Sequence, residues 1–236
     1  MHYLPVPGPW FGAFAGLLAL VAALIMLKAL TYGYGRMGIP GWAALSLLLA
    51  SLLGAYVNVP LVHFPDAKVL EVAELRRLGE SYPVLVARDW PGMVLAVNVG
   101  GALIPAAVSI YLIVRRRLLP PAFFCAAAVA AAVYAFARPV PGLGIAVPVY
   151  VAPVAAATAA LIASRVQAAP LAYIGGSLGT LFGGDLLRMP YLLSLGSPLV
   201  SIGGAGTFDG KFISGILALL LACLALERLG AKSKVA

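Results

Sequence analysis

The chain has 236 residues, of which 63% are hydrophobic and only 10% are charged. This composition leaves too little polar surface to cover a soluble globule of that size, so it argues against a soluble domain and predicts a membrane protein. The net charge of +8 comes from basic residues scattered at the ends of apolar runs, without the basic stripe that binding to nucleic acid requires.

Apolar runs recur along the whole chain, so residues 1–236 are predicted to form one integral membrane domain. The predicted fold class is all-α: a polytopic bundle of about seven transmembrane helices, each roughly 17–22 residues long, as a hydrocarbon core about 30 Å thick requires. The first run lacks a basic leader and a cleavage site, so it is expected to remain as a helix. The predicted spans are Trp10–Leu30, Gly41–Val57, Gly92–Val114, Leu118–Ala137, Ile145–Ala163, Leu171–Leu187 and Thr207–Leu226.

Basic residues predict the orientation, because short cytoplasmic loops are enriched in lysine and arginine. Most of the basic residues placed on the opposite side of the membrane lie in Phe64–Pro91, a stretch that also carries acidic residues. The N-terminus is therefore expected outside and the C-terminus in the cytoplasm. The basic residues placed on the cytoplasmic side are Lys28, Arg36, Arg115, Arg116, Arg117, Arg165, Arg228, Lys232 and Lys234.

Two polar or irregular segments interrupt the apolar pattern. Residues Phe64–Pro91 are too highly charged for lipid and are predicted to form a small extramembrane cap between spans two and three. Their periodicity fits a helix in one part and a strand in another, and a small hairpin or cap packed over the membrane domain is favoured over a solvated loop. Pro139–Pro148 is apolar but too rich in proline and glycine for a helix. It is interpreted either as a re-entrant turn near a functional site or as an interfacial connector anchored by Arg138.

Two aspartates, Asp185 and Asp209, lie in glycine-rich apolar sequence, where an ionisable side chain is a functional-site hypothesis. The predicted topology brings Asn58 and Asn98 to the same end of the bundle, within the similar stretches AYVNVP and LAVNVGG. Thr207 is a candidate N-cap for the last helix. Structural alternatives are an ion pair of Asp185 with Arg188, and stabilisation of a helix dipole by Asp209.

Glycines at three- and four-residue spacing in span six predict close approach of neighbouring helices. These are Gly175, Gly176, Gly179, Gly183 and Gly184.

No cofactor or metal site is predicted, because His2 and His63 lie far apart. Cys125 and Cys223 are each interpreted as small core residues, since neither has a CxxC or Cys/His companion.

The stretches IGGAGTFDGKF, AYIGGSLGTLFGGDLL, VNVGGALIP and YVNVP resemble an uncharacterised prokaryotic multi-pass membrane family, domain of unknown function 1614. Gly183-Gly184-Asp185 and Phe208-Asp209 are also similar to motifs of the presenilin-like and prepilin-peptidase-like membrane aspartyl proteases. That second resemblance implies an all-helical intramembrane hydrolase with a pair of catalytic aspartates.

Three functions follow as alternatives. In an aspartyl-protease-like hydrolase, Asp185 and Asp209 would share the catalysis of water attack on a membrane peptide. In a cation-binding protein or ion-coupled transporter, Asn58, Asn98, Asp185, Thr207 and Asp209 would supply oxygen ligands. In a non-enzymatic assembly protein, the cap would contact a partner. The expected partners are the lipid bilayer with a membrane peptide or a monovalent or divalent cation, and a homo-oligomer is a further alternative.

Overall fold

The fold is mainly helical. In this computed structural model, residues 8–65, 67–77, 80–90, 92–140, 144–194, 197–204 and 210–233 are described. Helix α3 continues from a π-helical turn over Val99–Leu103, and α6 continues into π-helical segments at Gly175–Gly179 and Leu181–Leu186. The α-helices are α1 (Gly8–Arg36), α2 (Gly41–Gly54), α3 (Ile104–Arg116), α4 (Leu119–Phe136), α5 (Val151–Ala163), α6 (Ala168–Ile174), α7 (Met189–Ser194) and α8 (Gly210–Ser233).

The prediction of a helical fold is confirmed in part: the fold is mainly helical, but it is not all-α, because strands form at one end of the bundle. Three strands make a mixed sheet in the order β1-β4-β7, with β4 antiparallel to β1 and parallel to β7. Separate pairs form between β2 and β3 and between β5 and β6. The strands are β1 (Asn58–Phe64), β2 (Ala67–Arg77), β3 (Glu80–Trp90), β4 (Met93–Asn98), β5 (Arg138–Val140), β6 (Gly144–Ala146) and β7 (Leu199–Ile202).

Strand β4 corrects the start of the predicted third span. Residues Met93–Asn98 read MVLAVN, and their β-branched content suits a strand whose backbone is satisfied on both sides. The two similar stretches noted in the sequence pair with each other here, with Asn58 opposite Asn98. Pairing with β1 becomes irregular between Pro60 and Val62, as expected where a proline lacks an N–H donor.

The predicted cap is a β-hairpin. Strands β2 and β3 pair antiparallel in an unbroken register from Ala67 opposite Trp90 to Arg77 opposite Glu80. This result favours the hairpin over the solvated loop. The hairpin is joined to the membrane domain through β1 and β4, so the β-structure begins at Asn58, six residues before the predicted cap boundary.

Within the part of the chain that the structure describes, three helical segments are long and apolar enough to cross a membrane: Phe11–Arg36, Val99–Arg116 and Leu119–Phe136. The helices Gly41–Gly54 and Val151–Ala163 are apolar but shorter. The fifth predicted span began at Ile145, where the chain instead forms β6 and a turn before α5. The molecule therefore has the helices of a membrane protein.

The core lies among α4, α5, α6 and α8 and contains many alanines, which allow close packing. The predicted role of the glycines is confirmed. Gly175 lies against Cys125, Gly179 against Val129 and Gly183 against Ala130, all on α4. Cys125 and Cys223 are buried, as predicted for small core residues. Helix α1 is much less buried than this core: only 6% of its most apolar stretch is buried inside the protein.

Candidate functional site

Asn58 and Asn98 lie side by side at the end of the sheet, where they form a hydrogen-bonded cluster. Asn98 Nδ2 donates to the Ala55 carbonyl oxygen at 2.7 Å and to Asn58 Oδ1 at 3.1 Å. Asn58 Oδ1 also accepts a 2.6 Å hydrogen bond from the Ser201 hydroxyl on β7. The two asparagines thus connect α2, β1, β4 and β7.

The same Asn98 side chain begins the helical segment that follows it. Its Oδ1 accepts a 2.7 Å hydrogen bond from the Gly101 amide, which caps the π-helical turn before α3. Asn98 is only 1% exposed, so these bonds replace those that water would make. The carboxamide is used for structure, which leaves it little capacity to bind a ligand.

Asp185 lies in the π-helical segment Leu181–Leu186 and is 5% exposed. Its Oδ2 accepts a 2.8 Å hydrogen bond from the backbone amide of Gly203, directly after β7. Gly203 has a φ of +90° and packs against the Gly101–Ala102 backbone. Asn98 and Asp185 therefore hold two sides of one junction, in which Gly101 and Gly203 are in contact.

A pocket of about 300 Å³ opens beside Asp185. It is lined by the segment Ile145–Val149 and by Thr180 and Gly184 with Ser214 of α8. Thr180, Asp185 and Ser214 are the polar side chains among the described lining residues. Residues 145–148 of the proline- and glycine-rich connector thus lie beside Asp185.

Arg188 caps the C-terminal end of α4. Its Nη2 donates to the carbonyl oxygens of Tyr134 and Ala137, at 2.7 and 3.1 Å, and its guanidinium lies 4.3 Å from the Tyr134 ring centroid. A cation at the C-terminal end of a helix stabilises the last carbonyl groups. Arg188 also contacts Asp185 through the backbone, donating its amide to the Asp185 carbonyl oxygen at 3.2 Å.

Thr207 and Asp209 lie outside the described residues. The structure thus brings three of the five predicted site residues into one region, namely Asn58, Asn98 and Asp185. Within the described ranges, no three His, Cys, Asp or Glu side chains form a group suited to a metal ion. Sequence reasoning missed Ser201, Thr180, Ser214 and Gly203. No local sequence pattern marks Ser201, Thr180 or Ser214 as site residues. The consecutive glycines Gly203-Gly204, in contrast, indicate an unusual backbone conformation.

Residues 52–221 match the family described as protein of unknown function (DUF1614). The chain belongs to this family. The resemblance drawn from the sequence stretches is therefore confirmed. The DUF1614 region contains the sheet, the asparagine cluster and the Asp185 pocket, whereas α1 precedes it. No curated protein and no solved structure matches the chain.

Proposed function

We propose that this DUF1614 protein crosses the membrane seven times, with the N-terminus outside and the C-terminus in the cytoplasm. A hydrogen-bonded group around Arg116, at the end of the bundle opposite the sheet, supports this orientation. Arg116 Nη2 donates to the Met37 carbonyl oxygen at 2.7 Å, and its Nη1 donates to Gln167 Oε1 at 2.8 Å. These bonds join the ends of α1 and α3 to the start of α6, at the end opposite the sheet.

The shorter helices fit this proposal through the elements next to their outer ends. Helix α2, with 14 residues, spans about 21 Å at 1.5 Å per residue, which is less than a hydrocarbon core of about 30 Å. Its outer end continues into β1, and the outer end of α5 is preceded by β6. Non-helical backbone at such depth must be covered by protein or line a cavity. Strand β4 covers one edge of β1, and the segment Ile145–Val149 lines the pocket, so both stretches of non-helical backbone meet that requirement.

We further propose that the protein is an ion-coupled membrane transporter in which Asp185 binds the coupling cation. The observation that carries this proposal is a buried carboxylate in the wall of a 300 Å³ pocket, on a helix with π-helical turns. Such turns occur frequently at functional sites, and transporters build ion sites where helices are interrupted. Thr180 and Ser214 would add hydroxyl oxygens from two different helices. Asn58 and Asn98 would position the sheet.

The aspartyl-protease-like hydrolase is a second proposal, supported by the position of Asp185 in the Gly183-Gly184-Asp185 sequence beside a pocket. Among the described lining residues, Asp185 is the carboxylate. Catalysis would therefore require Asp209 as the second carboxyl group, with one acid donating a proton while the other activates water.

The two proposals are tested on purified protein with three matched aspartate-to-asparagine variants. Asp185→Asn removes the pocket carboxylate, Asp209→Asn removes the second acid, and Asp89→Asn on the exposed part of β3 is the control. Each protein is melted with Na⁺, K⁺ or Ca²⁺ at constant ionic strength and at several pH values. Each is also incubated with membrane-span peptides in detergent.

The transporter proposal predicts that a cation or a proton raises the melting temperature of the wild type and of Asp89→Asn but not of Asp185→Asn. At a concentration 100 times the dissociation constant, the stabilisation would be about 2.7 kcal/mol. Peptide cleavage that is lost in both Asp185→Asn and Asp209→Asn, with no cation effect, would instead establish the hydrolase. If neither signal appears, both proposals fail and the assembly function becomes the leading alternative.

A further inference from the structure

Three turns of the chain meet at Arg116, at the end of the bundle away from the sheet. Arg116 is partly buried; its Nη2 donates to the Met37 carbonyl oxygen at 2.7 Å, and its Nη1 donates to Gln167 Oε1 at 2.8 Å. Gly38, with a φ of +79°, leaves room for this guanidinium, because a Cβ atom there would lie 2.8 Å from Nη2. One arginine side chain therefore connects the α1–α2, α3–α4 and α5–α6 turns.

The same three turns carry four more arginines. Each is exposed and lies within two positions of a residue in the Arg116 network: Arg36, Arg115, Arg117 and Arg165. The two groups that Arg116 binds are uncharged, and residues 35–40, 115–118 and 164–168 contain no aspartate or glutamate. Five positive charges are thus gathered at three touching turns without an acidic residue in those turns. Like charges repel, so this arrangement favours binding of an anion from outside the chain.

The exposed arginines differ in how far the fold itself uses them. Arg36 lies one turn after Tyr32, whose hydroxyl donates to Glu227 of α8, so an acid close by offsets part of its charge. The Arg115 guanidinium lies 5.9 Å from the Tyr111 ring centroid.

Arg117 and Arg165 are the two arginines that the fold leaves most available. Within the described part of the chain, their side chains form no hydrogen bond or ion pair. Orientation in the membrane accounts for basic residues at this end, but it does not require that two separate turns present them side by side. The Arg116–Gln167 bond produces that arrangement, since it joins the turn of Arg117 to the turn of Arg165.

Apolar side chains with very high exposure lie directly beside these two arginines. Leu119 and Phe123 stand one turn apart at the start of α4, just after Arg117, and are 68% and 76% exposed. Val166, next to Arg165, is 90% exposed. The surface therefore offers cationic groups and uncovered apolar groups within a few residues of each other.

This combination distinguishes between the possible anions. Free phosphate or a nucleic acid would use the guanidinium groups and leave the apolar side chains uncovered. A phospholipid uses both parts, because its phosphate accepts bidentate hydrogen bonds from arginine and its acyl chains cover apolar surface. The position fits as well, since the ends of an apolar bundle lie at the depth of the lipid headgroups.

We propose that the three turns around Arg116 form a binding site for an anionic phospholipid. Arg117 and Arg165 bind the headgroup phosphate, with Arg115 at its edge, and Leu119 and Phe123 contact an acyl chain. A phosphate held by both arginines adds a second link between the α3–α4 and α5–α6 turns, so the bound lipid stabilises the fold. The site is independent of the transport proposal, because the Asp185 pocket lies at the sheet end.

The test uses the full chain, purified in a neutral detergent and delipidated. Phosphatidylglycerol is the anionic probe, phosphatidylcholine with the same acyl chains is the zwitterionic probe, and inorganic phosphate is the probe without chains. Native mass spectrometry counts bound lipid and gives its dissociation constant, and thermal melting measures stabilisation. The variants are Arg117→Gln, Arg165→Gln and the double substitution. Arg138→Gln, at an exposed arginine on β5 at the sheet end, is the matched control.

We expect phosphatidylglycerol to raise the melting temperature of the wild type and of Arg138→Gln more than phosphatidylcholine does. Each single variant should raise the dissociation constant for phosphatidylglycerol about fivefold, and the double variant on the order of twenty-five-fold, as loss of arginines near an anionic headgroup predicts. Without lipid, all variants should melt close to the wild type, because these exposed side chains hold no other element.

Equal stabilisation of the wild type by the two lipids would overturn the proposal, and so would equal affinity of the double variant and Arg138→Gln for phosphatidylglycerol. Stabilisation by inorganic phosphate at the concentration that suffices for the lipid would show an anion site without a lipid requirement, which also contradicts it. If both single variants melt early in the absence of lipid, the arginines are structural and the proposal fails.

Discussion

At the residue scale, Asn98 illustrates how one side chain can connect distant parts of this fold. It donates to α2 and to Asn58, and it accepts from Gly101. If the carboxamide were removed, the Ala55 carbonyl oxygen and the Gly101 amide would lose this partner, whereas Asn58 Oδ1 would keep its bond from Ser201. The cost of leaving a buried polar group unsatisfied exceeds the net contribution of making the bond.

Replacing Asn98 with alanine is therefore expected to destabilise the protein strongly. Two backbone groups, the Ala55 carbonyl and the Gly101 amide, lose their partner, which should cost about 2 kcal/mol or more. Thermal melting of purified protein in detergent measures the effect, with the exposed Ser46→Ala as control. A melting temperature equal to that of the control would contradict the assigned role.

Gly203 should tolerate no side chain. Its φ of +90° is unfavourable for L-residues, and a Cβ atom there would lie 2.6 Å from the Ala102 Cβ and 2.7 Å from the Ala102 nitrogen. Gly203→Ala is expected to displace the chain after β7, weaken the bond to Asp185 and lower the melting temperature. Gly16→Ala is the matched control, because a Cβ atom at Gly16 has nothing within 4 Å. Equal melting of the two variants would argue against the close junction.

At the element scale, the stretch from α6 to Asp185 depends on glycines to approach α4. Gly175, Gly179 and Gly183 recur every four residues and face α4, whereas Gly184 lies one position away from this contact. Close backbone approach lets two helices gain dispersion energy where lipid supplies no hydrophobic driving force between them. The positions of Thr180 and Asp185 therefore depend on this helix pair.

Adjacent glycines provide a sharp test of that contact. A Cβ atom at Gly183 would lie 2.8 Å from the Ala130 Cα, which is backbone and cannot move aside easily. At Gly184, the nearest atom would be the Val133 Cγ1 at an ordinary 3.7 Å. Gly183→Ala should thus be destabilised by about 1–3 kcal/mol, and Gly184→Ala should melt close to wild type. Equal melting temperatures, or the reverse order, would show that the helices do not pack in this way.

At the scale of the whole molecule, the polar groups separate to the two ends of an apolar bundle. The sheet, the hairpin and Asp185 lie at one end, and the turns that contain Arg36, Arg116 and Gln167 lie at the other. Exposed apolar side chains cover much of the surface between them, which suits contact with lipid.

The proposed orientation predicts which end a membrane-impermeant thiol reagent reaches. With the buried Cys125 and Cys223 replaced by alanine, Asp89→Cys on β3 should be labelled in intact cells. Arg115→Cys, exposed at the opposite end, should be labelled only after the membrane is opened. The reverse pattern would invert the topology and place the Asp185 pocket near the cytoplasm.

Sequence alone determined the features that depend on local composition. Apolar run length predicted the helices of a membrane protein, charge predicted a separate cap at Phe64–Pro91, and glycine spacing predicted close packing of the helix before Asp185 against its neighbours. That the main neighbour is α4 was learned from the structure. Sequence also indicated Asp185 as a candidate site residue, because a carboxylate in apolar sequence is costly wherever it lies.

The tertiary structure alone decided the features that need distant partners. Asn58 and Ser201 are 143 positions apart, and β7 becomes a strand because β4 lies beside it. The pocket wall Ile145–Val149 and the Tyr34–Tyr173 contact likewise join separate segments. A short apolar stretch satisfies its backbone equally well in a helix or against a neighbouring strand, so local pattern does not choose between them.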